Sequence, residues 1–429
     1  MNDELRGKRL LLLGSSVWKD ELRHFADEHG IILIVVGNRA APLDEVADEL
    51  YRVDSTDHDA MKQFIKTHNI DGVFMGGSEM IVSHACEYIN ELGYPCYCTK
   101  EQWDVLADKS RFKALCQLFG LPVAKAYSPH DFIPVQEVTV ENVFPVVTKP
   151  VDGCGGEGIS VCHHIKELQE GYAKAKAASR SGNAIIEQFV SNDSIKVFYT
   201  FSQGVPHYTT MATKYPVRFD NPETYVSTLY LFESSCADDF RHRFEDRLFR
   251  MFSNLGIREG SLWIEVFKNG DDYCFNEAAF RYMGQVSFYP VNYLTGVNQL
   301  AADITYALTG KSQTMGHRSL IGDDVPRKKY YCMYCPQLAD GRIESIEGIN
   351  NCRKIPECVY AFFQKSEGDE ISGQHTLFHV LGCIHLVFDT IDELRQLIRK
   401  VQQTIHVTST QGQEMLRDMI DWEGRQIIV

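Results

Sequence analysis

Four glycines within six residues, Gly153, Gly155, Gly156 and Gly158, follow Lys149 in the stretch V-V-T-K-P-V-D-G-C-G-G-E-G-I-S-V that runs from Val146 to Val161. A backbone free to take positive φ, with no side chains in the way, lets several N–H groups close around phosphate oxygens. The lysine just ahead of them adds a point charge for the same group. A second lysine, Lys109, falls in the first turn of a helix reading A-D-K-S-R-F-K from Ala107, where the helix dipole disfavours a cation unless an anion lies close. Lys113, one turn on, is expected to matter far less than Lys149. Two acids, Glu265 in S-L-W-I-E-V-F and Glu277 in Y-C-F-N-E-A-A-F-R, sit on apolar strands whose Asn269-Gly270 connection signals a tight hairpin. A turn there sets Glu265 beside Cys274, with Glu277 a few residues along the sheet. Carboxylates this near repel unless a cation lies between them, and such hard oxygen ligands suit Mg²⁺ together with phosphates.

Each feature has a plainer reading. A phosphate loop of the G-x-x-x-x-G-K type puts its lysine after the glycines and leads into a helix, and a dinucleotide fingerprint also leads into a helix, whereas a strand-like run follows Gly158. A surface hairpin without a ligand stays open on the loop alone. Glu277 could instead form a core salt bridge with Arg281, which shares its strand face. The C-x-x-C pair Cys332 and Cys335, with Cys352, Cys358, His379, Cys383 and His385 further on, lacks a second matching knuckle, and its alternation reads as a strand. Cys154, inside the glycine loop, is the thiol expected to meet solvent.

The elements that must hold these residues follow from periodicity. Lys8 to Leu13 and Ile31 to Val36 are strands around a helix near Trp18 to His29, and a further unit pairs the helix Asp57 to His68 with the strand Asp71 to Met75. This is the start of a parallel doubly wound sheet, whose strand ends at Gly14 to Ser16 and Gly76 to Glu79 are expected to face one cleft. A helix from Ala107 to Gly120 comes next, then the glycine hairpin, a helix Ile165 to Ala178 and a hairpin across Gln203-Gly204. Thr213 to Leu231 reads as a loop, and Asp238 to Leu255 as a long helix. The 429 residues carry a formal charge of −15, which excludes nucleic acid as a bulk partner and leaves room for a small anion held locally. The short apolar run Leu10 to Leu13 gives neither a signal peptide nor a spanning helix, so no membrane partner and a cytoplasmic location are expected.

In type and order, Lys109 in D-K-S-R-F-K, Lys149 in V-T-K-P, the loop D-G-C-G-G-E-G-I-S, E-Q-F-V, Glu265 in W-I-E-V, and Glu277 with Arg281 in N-E-A-A-F-R-Y-M-G resemble the ATP-grasp superfamily, in its biotin-carboxylase-like and carboxylate–amine ligase branch. The resemblance implies an α/β fold: an N-terminal doubly wound parallel sheet domain over 1–105, an ATP-grasp domain of two α+β lobes over 106–312 with a lid at about 122–190, and a β-rich, α+β C-terminal domain over 313–429. It implies ATP and Mg²⁺, with Mn²⁺ an alternative. Lys109 and Lys149 would hold the α- and β-phosphates, Gly153, Gly155, Gly156 and Gly158 would cover the β- and γ-phosphates, and Glu187, Gln188, Phe189 and Val190 would face adenine. Asp193 is the ribose candidate, because Lys196 stands where many members have an acid. Glu265 and Glu277 would hold the metal, Ala279 replaces a usual third ligand, and Arg281, with Lys149 the catalytic candidate, would steady an acyl phosphate or a carboxylate. The implied activity is ADP-forming ligation of a small carboxylate, such as an amino acid, to an amine or thiol by a homodimer. Bicarbonate activation and a nucleotide-binding partner protein without turnover are the alternatives.

Overall fold

The computed structural model describes residues 3–14, 18–132, 143–152, 156–190, 193–216, 227–312, 320–321, 325–372, 377–417 and 420. Strands β1 (Arg9–Leu13), β2 (Ile32–Val36), β3 (Glu49–Tyr51) and β4 (Gly72–Phe74) form a parallel sheet in the order β3-β2-β1-β4. Helices α1 (Lys19–His29), α2 (His58–Thr67) and α3 (Glu79–Glu91) connect or follow them. Alternation along β1 and β2 sorts their side chains into two cores, Leu11, Leu13, Ile34 and Val36 on one face and Leu10, Leu12, Leu33 and Val35 on the other.

The helix expected over Ala107 to Gly120 is α5 (Lys109–Leu118), and a separate helix, α4 (Lys100–Ala107), precedes it. Asp108 between them is extended and accepts the Arg111 N–H at 2.9 Å, so it caps α5 and breaks the run. Lys109 thereby becomes the first residue of a new helix.

A four-stranded antiparallel sheet follows, ordered β5-β8-β6-β7, from β5 (Ala126–Tyr127), β6 (Val146–Pro150), β7 (Ser160–Cys162) and β8 (Ala184–Gln188), with α6 (Ile165–Ala178) packed on it. The hairpin expected around the glycines is β6–β7, Val147 opposite Val161. Gly171 of α6 lies so near the sheet that a Cβ there would meet the Thr148 hydroxyl at 2.9 Å.

The large sheet is antiparallel and eight-stranded. It takes β9 (Asp193–Ser202), β10 (Val205–Pro216), β11 (Ser227–Phe232), β12 (Gly260–Asn269) and β13 (Asp272–Ala279), with α7 (Ala237–Asn254) burying Phe240, Phe244, Leu248 and Met251 in the same core. After α8 (Phe288–Thr295) and α9 (Gln299–Thr309), strand β14 (Tyr330–Tyr334) joins it, then β15 (Gln337–Leu338), β16 (Gly341–Glu347) and the short α10 (Ile349–Cys352) lead to β17 (Cys358–Phe363). Beyond β18 (Glu370–Ile371), strand β19 (Gly382–Phe388) inserts between β14 and β17, giving the order β13-β12-β9-β10-β11-β14-β19-β17. The sheet therefore runs across residue 313, and Cys332 lies on a strand within it. Helix α11 (Ile391–Thr404), β20 (His406–Ser409) and β21 (Leu416–Arg417) complete the chain, with small sheets β18-β16-β20 and β15-β21.

One expectation changes. Thr213 to Leu231 is no simple loop: Thr213 pairs with Leu231 as β10 meets β11, and 217–226 lie outside the described residues. Gly72 packs so tightly on α9 that a Cβ would sit 2.3 Å from the Ala307 carbonyl oxygen, which joins the parallel sheet to the rest of the chain. Among the described residues no helix is long and apolar enough to cross a membrane.

Candidate active site

The four-stranded sheet, the large sheet and the first residues of α3 enclose a cavity of about 610 Å³. Its wall carries six cationic side chains, Lys109, Lys149, Arg180, Lys196, Lys214 and Arg281, against five acids, Glu79, Asp152, Glu157, Glu265 and Glu277. In a chain of net charge −15 this is a local excess of positive charge, suited to an anion.

Glu265 and Glu277 face each other directly. The turn is one residue later than expected, pairing Asn269 with Asp272, and a bulge between Glu265 and Val266 advances the register once more, so Glu265 meets Glu277 and not Cys274. The repulsion is answered by lysines from the neighbouring strands. Glu265 accepts from Lys214 Nζ at 2.8 Å and Ser194 Oγ at 3.1 Å, and Lys196 Nζ stands 3.7 Å from its other oxygen. Lys196 is set by register, directly opposite Glu265 on β9, and its ammonium lies 3.7 Å over the Trp263 ring. Burial pushes the Glu265 carboxyl up, but Lys196 and Lys214 more than reverse this and hold it well below the usual carboxylate range. Burial also lowers Lys196 despite its acidic neighbours. Glu277 is more open, its side chain 27% exposed, with Lys109 Nζ at 3.5 Å. That pairing supplies the anion that a lysine in the first turn of α5 requires.

Behind the wall, Glu187 of β8 is buried between two lysines. Lys113 of α5 contacts one oxygen, and Lys149 of β6 donates to the other at 3.2 Å and to Asn276 Oδ1 of β13 at 3.1 Å. Burial raises Glu187, and Lys149 with Lys113 bring it below its ordinary value. Burial and the Lys149 charge take Lys113 down to about 8. Lys149 and Asn276 line the cavity, and Gln188, Phe189 and Val190 continue its wall, but Glu187 does not reach it.

The third group joins the parts of the fold. Glu79, at the start of α3, accepts from Arg180 at 3.0 Å and from Arg281 at 3.3 Å. Arg281 thus pairs with Glu79, and the alternative pairing with Glu277 is not the one formed. Arg180 also donates to the Asp152 carbonyl at 2.9 Å, which binds the glycine hairpin's base to the same acid.

Of the glycines, Gly156 and Gly158 have φ of +82° and +74°, and Gly156 lines the cavity. A Cβ on Gly158 would lie 2.6 Å from that of Ala178, so its smallness also serves packing against α6. Gly153, Cys154 and Gly155, with Ser15 and Ser16, are outside the described residues, as is the side chain of Asp193. Gly77, Ser78 and Glu79 do line the cavity, as expected of that strand end. Sequence reasoning missed Lys214, Arg180, Asn276 and the place of Lys113. Lys214 carried one legible signal, a lone cation in the strand-like run M-A-T-K-Y.

Parts of the chain are similar to known proteins. Residues 108–195 match the family described as carbamoyl-phosphate synthase L chain, ATP binding domain, and residues 333–409 match L-amino acid ligase C-terminal domain 2. A formate-dependent phosphoribosylglycinamide formyltransferase of Synechococcus sp. is 29% identical over 190 residues, 43% of this chain and 49% of that protein, so the chain spans about half the length of this curated relative. The crystal structure of an L-amino acid ligase from Bacillus licheniformis is similar with a TM-score of 0.73 at 18% identity, covering 94% of this chain and 99% of that one. A phosphoribosylglycinamide synthetase from Anaerococcus prevotii gives 0.69 at 16% identity, covering 94% and 100%. In this chain a hairpin carrying Gly156 and Gly158 on the small sheet borders one cavity with lysines and the paired acids of the large antiparallel sheet. Residues 108–195 thus carry the likeness to an ATP-binding domain, and the solved structures show a shared fold.

Proposed function

We propose that this protein is an ADP-forming ligase that activates a small carboxylate, an amino acid, as its acyl phosphate and joins it to an amine. The observation that carries this reading is the convergence of Lys109, Lys149, Glu265, Glu277 and Arg281 on one cavity. Phosphoryl transfer to a carboxylate needs charge neutralisation and alignment more than a protein nucleophile, and the cavity is built from charge.

In this reading Lys109 and Lys149 bind the nucleotide phosphates. Two of the three donors of the Lys149 ammonium go to Glu187 and Asn276, which leaves one for the cavity. Gly156 and its neighbours in the hairpin cover the terminal phosphates and exclude water from the acyl phosphate. Gln188 to Val190 form the adenine wall, with Asp193 proposed for the ribose. Arg281, kept at the cavity by Glu79, holds the carboxylate oxygens and the charge that develops on them. The facing pair Glu265 and Glu277 fits a hard divalent cation shared with phosphates, Glu277 through its exposure and Glu265 after exchange of a lysine contact. Mg²⁺, or Mn²⁺ in its place, would supply neutralisation of phosphate charge there.

The match to an L-amino acid ligase domain favours an amino acid as the carboxylate, while the formyltransferase relative makes formate the comparison to run beside it. A homodimer is proposed by analogy with the dimer described for a biotin carboxylase domain of the same fold. ADP release with MgATP across a panel of amino acids, formate and bicarbonate tests the reading. Stimulation by one or more amino acids is expected; stimulation by bicarbonate alone would replace it with bicarbonate activation, and no ADP under any condition would overturn it.

A further inference from the structure

Lys113, expected to matter far less than Lys149, is among the most deeply placed cations of the described residues, its side chain 9% exposed against a carboxylate only 2% exposed. Three buried charges meet there, two lysines and one acid, from α5, β6 and β8. The arrangement is costly unless each charge is used, since burying an ion without compensation is unfavourable. Lys149 alone would neutralise Glu187, and Lys113 makes the group net positive. Only Lys149 of the three lines the cavity.

We infer that Lys113 is a positioning residue for nucleotide binding: by occupying the Glu187 carboxylate from behind, it leaves the charge of Lys149 available to a phosphate in the cavity. The inference rests on the nucleotide-binding reading above and adds a residue that no part of that reading assigns. Without Lys113, Glu187 and Lys149 become a neutral one-to-one pair, and a phosphate must compete with the acid for the ammonium. With it, the acid is already satisfied and still orients Lys149 together with Asn276. The charged and titratable groups facing Lys113 are Glu187 on β8, Lys149 on β6, Cys274 on β13 and Cys116 on its own helix. Burial pushes Cys116 up to about 12 and raises Cys274 as well, so both thiols stay neutral and Glu187 is the acid that matters. Lys113 itself, brought to about 8, loses its proton as pH rises through that value.

The test is isothermal titration calorimetry of the full chain with Mg²⁺ and the non-hydrolysable analogue AMP-PNP. Lys113→Met should weaken binding on the order of tenfold, the loss of one unit charge near a phosphate in a partly desolvated site. Lys113→Arg should keep most of the affinity. Lys113→Met combined with Glu187→Gln should recover it, because the competing acid is gone. In the parent protein affinity should fall as pH rises through about 8, and this limb should vanish in Lys113→Met and Lys113→Arg. Thermal melting without ligand shows that each variant is folded. A parent protein that binds the analogue while Lys113→Met binds it equally well, or a Lys113→Met defect that Glu187→Gln leaves untouched, would overturn the inference and spare the function. A parent protein that binds no nucleotide would overturn both.

Discussion

Glu265 and Glu277 are opposite each other in one hairpin, but their surroundings assign them different work. Glu265 is enclosed, with two lysines and a serine on its oxygens, whereas Glu277 is open to the cavity beside a single lysine 3.5 Å away. Removing one partner from a buried charged group leaves the others uncompensated, so Glu265→Gln should lower stability by about 3 kcal/mol, read from denaturant unfolding. Glu277→Gln removes a half-open pair and should stay within about 1 kcal/mol of the parent without ligand. Its effect should appear instead in MgATP binding, markedly weakened, and in turnover, nearly abolished. Clear destabilisation by Glu277→Gln with intact nucleotide binding would contradict the metal-site assignment. Both acids were legible in the sequence because each interrupts an apolar strand. Their direct opposition was not, since a bulge between Glu265 and Val266 depends on packing across three strands and leaves no mark in the turn residues. For the same reason Lys214 went unread: its role appears only when β10 is aligned with β9 and β9 with β12.

The elements bring these residues together through small local devices. Asp108 ends α4 and caps α5, and this sets Lys109 at a helix start facing Glu277. Asp108→Ala should cost about 1 kcal/mol of stability, the usual worth of such a cap, and should also weaken nucleotide binding because Lys109 is displaced. An alanine that lowered the melting temperature but left binding intact would separate the cap from the site. The start of α5 was legible to within two residues in A-D-K-S-R-F-K, whereas α4 just ahead of it was not read. The β6–β7 hairpin was plain, since glycines between two β-branched runs leave few other structures. Strand β8 adds a pH dependence. Glu187 is held below its ordinary value of 4.5 by two lysines, against the effect of burial. A depressed carboxylate stabilises the fold fully above the unfolded value, and that contribution is lost as pH falls below about 4.5. Unfolding free energy of Glu187→Gln, measured from pH 6 downward, should fall less steeply than that of the parent; equal slopes would remove Glu187 from the acid limb.

At the scale of the molecule, the site is a junction of three parts. Glu79 reaches the cavity from the start of α3 beside the parallel sheet, Lys149 from the small sheet with Arg180 from the segment between α6 and β8, and Glu265 and Glu277 from the large sheet with Arg281 just beyond β13. Their relative position rests on contacts such as Gly72 against the Ala307 carbonyl, where Gly72→Ala should cost roughly 2 kcal/mol through overpacking and move Glu79 away from Arg281. The order of these parts could be read from motif spacing, and the parallel sheet from its alternating strands and helices. The continuation of the large sheet into β14, β19 and β17 could not, because nothing in Y-Y-C-M-Y specifies β11 as a neighbour. In the proposed reaction a carboxylate oxygen attacks the terminal phosphate of ATP in this cavity. It is tested most directly by supplying the activating carboxylic acid labelled with ¹⁸O in its carboxyl group, with MgATP and the amine, and analysing the released phosphate by mass spectrometry. One labelled oxygen transferred to each inorganic phosphate, with ADP as co-product and the transfer lost in Lys149→Ala, is the predicted result. Unlabelled phosphate, or AMP and pyrophosphate in place of ADP and phosphate, would contradict the claim.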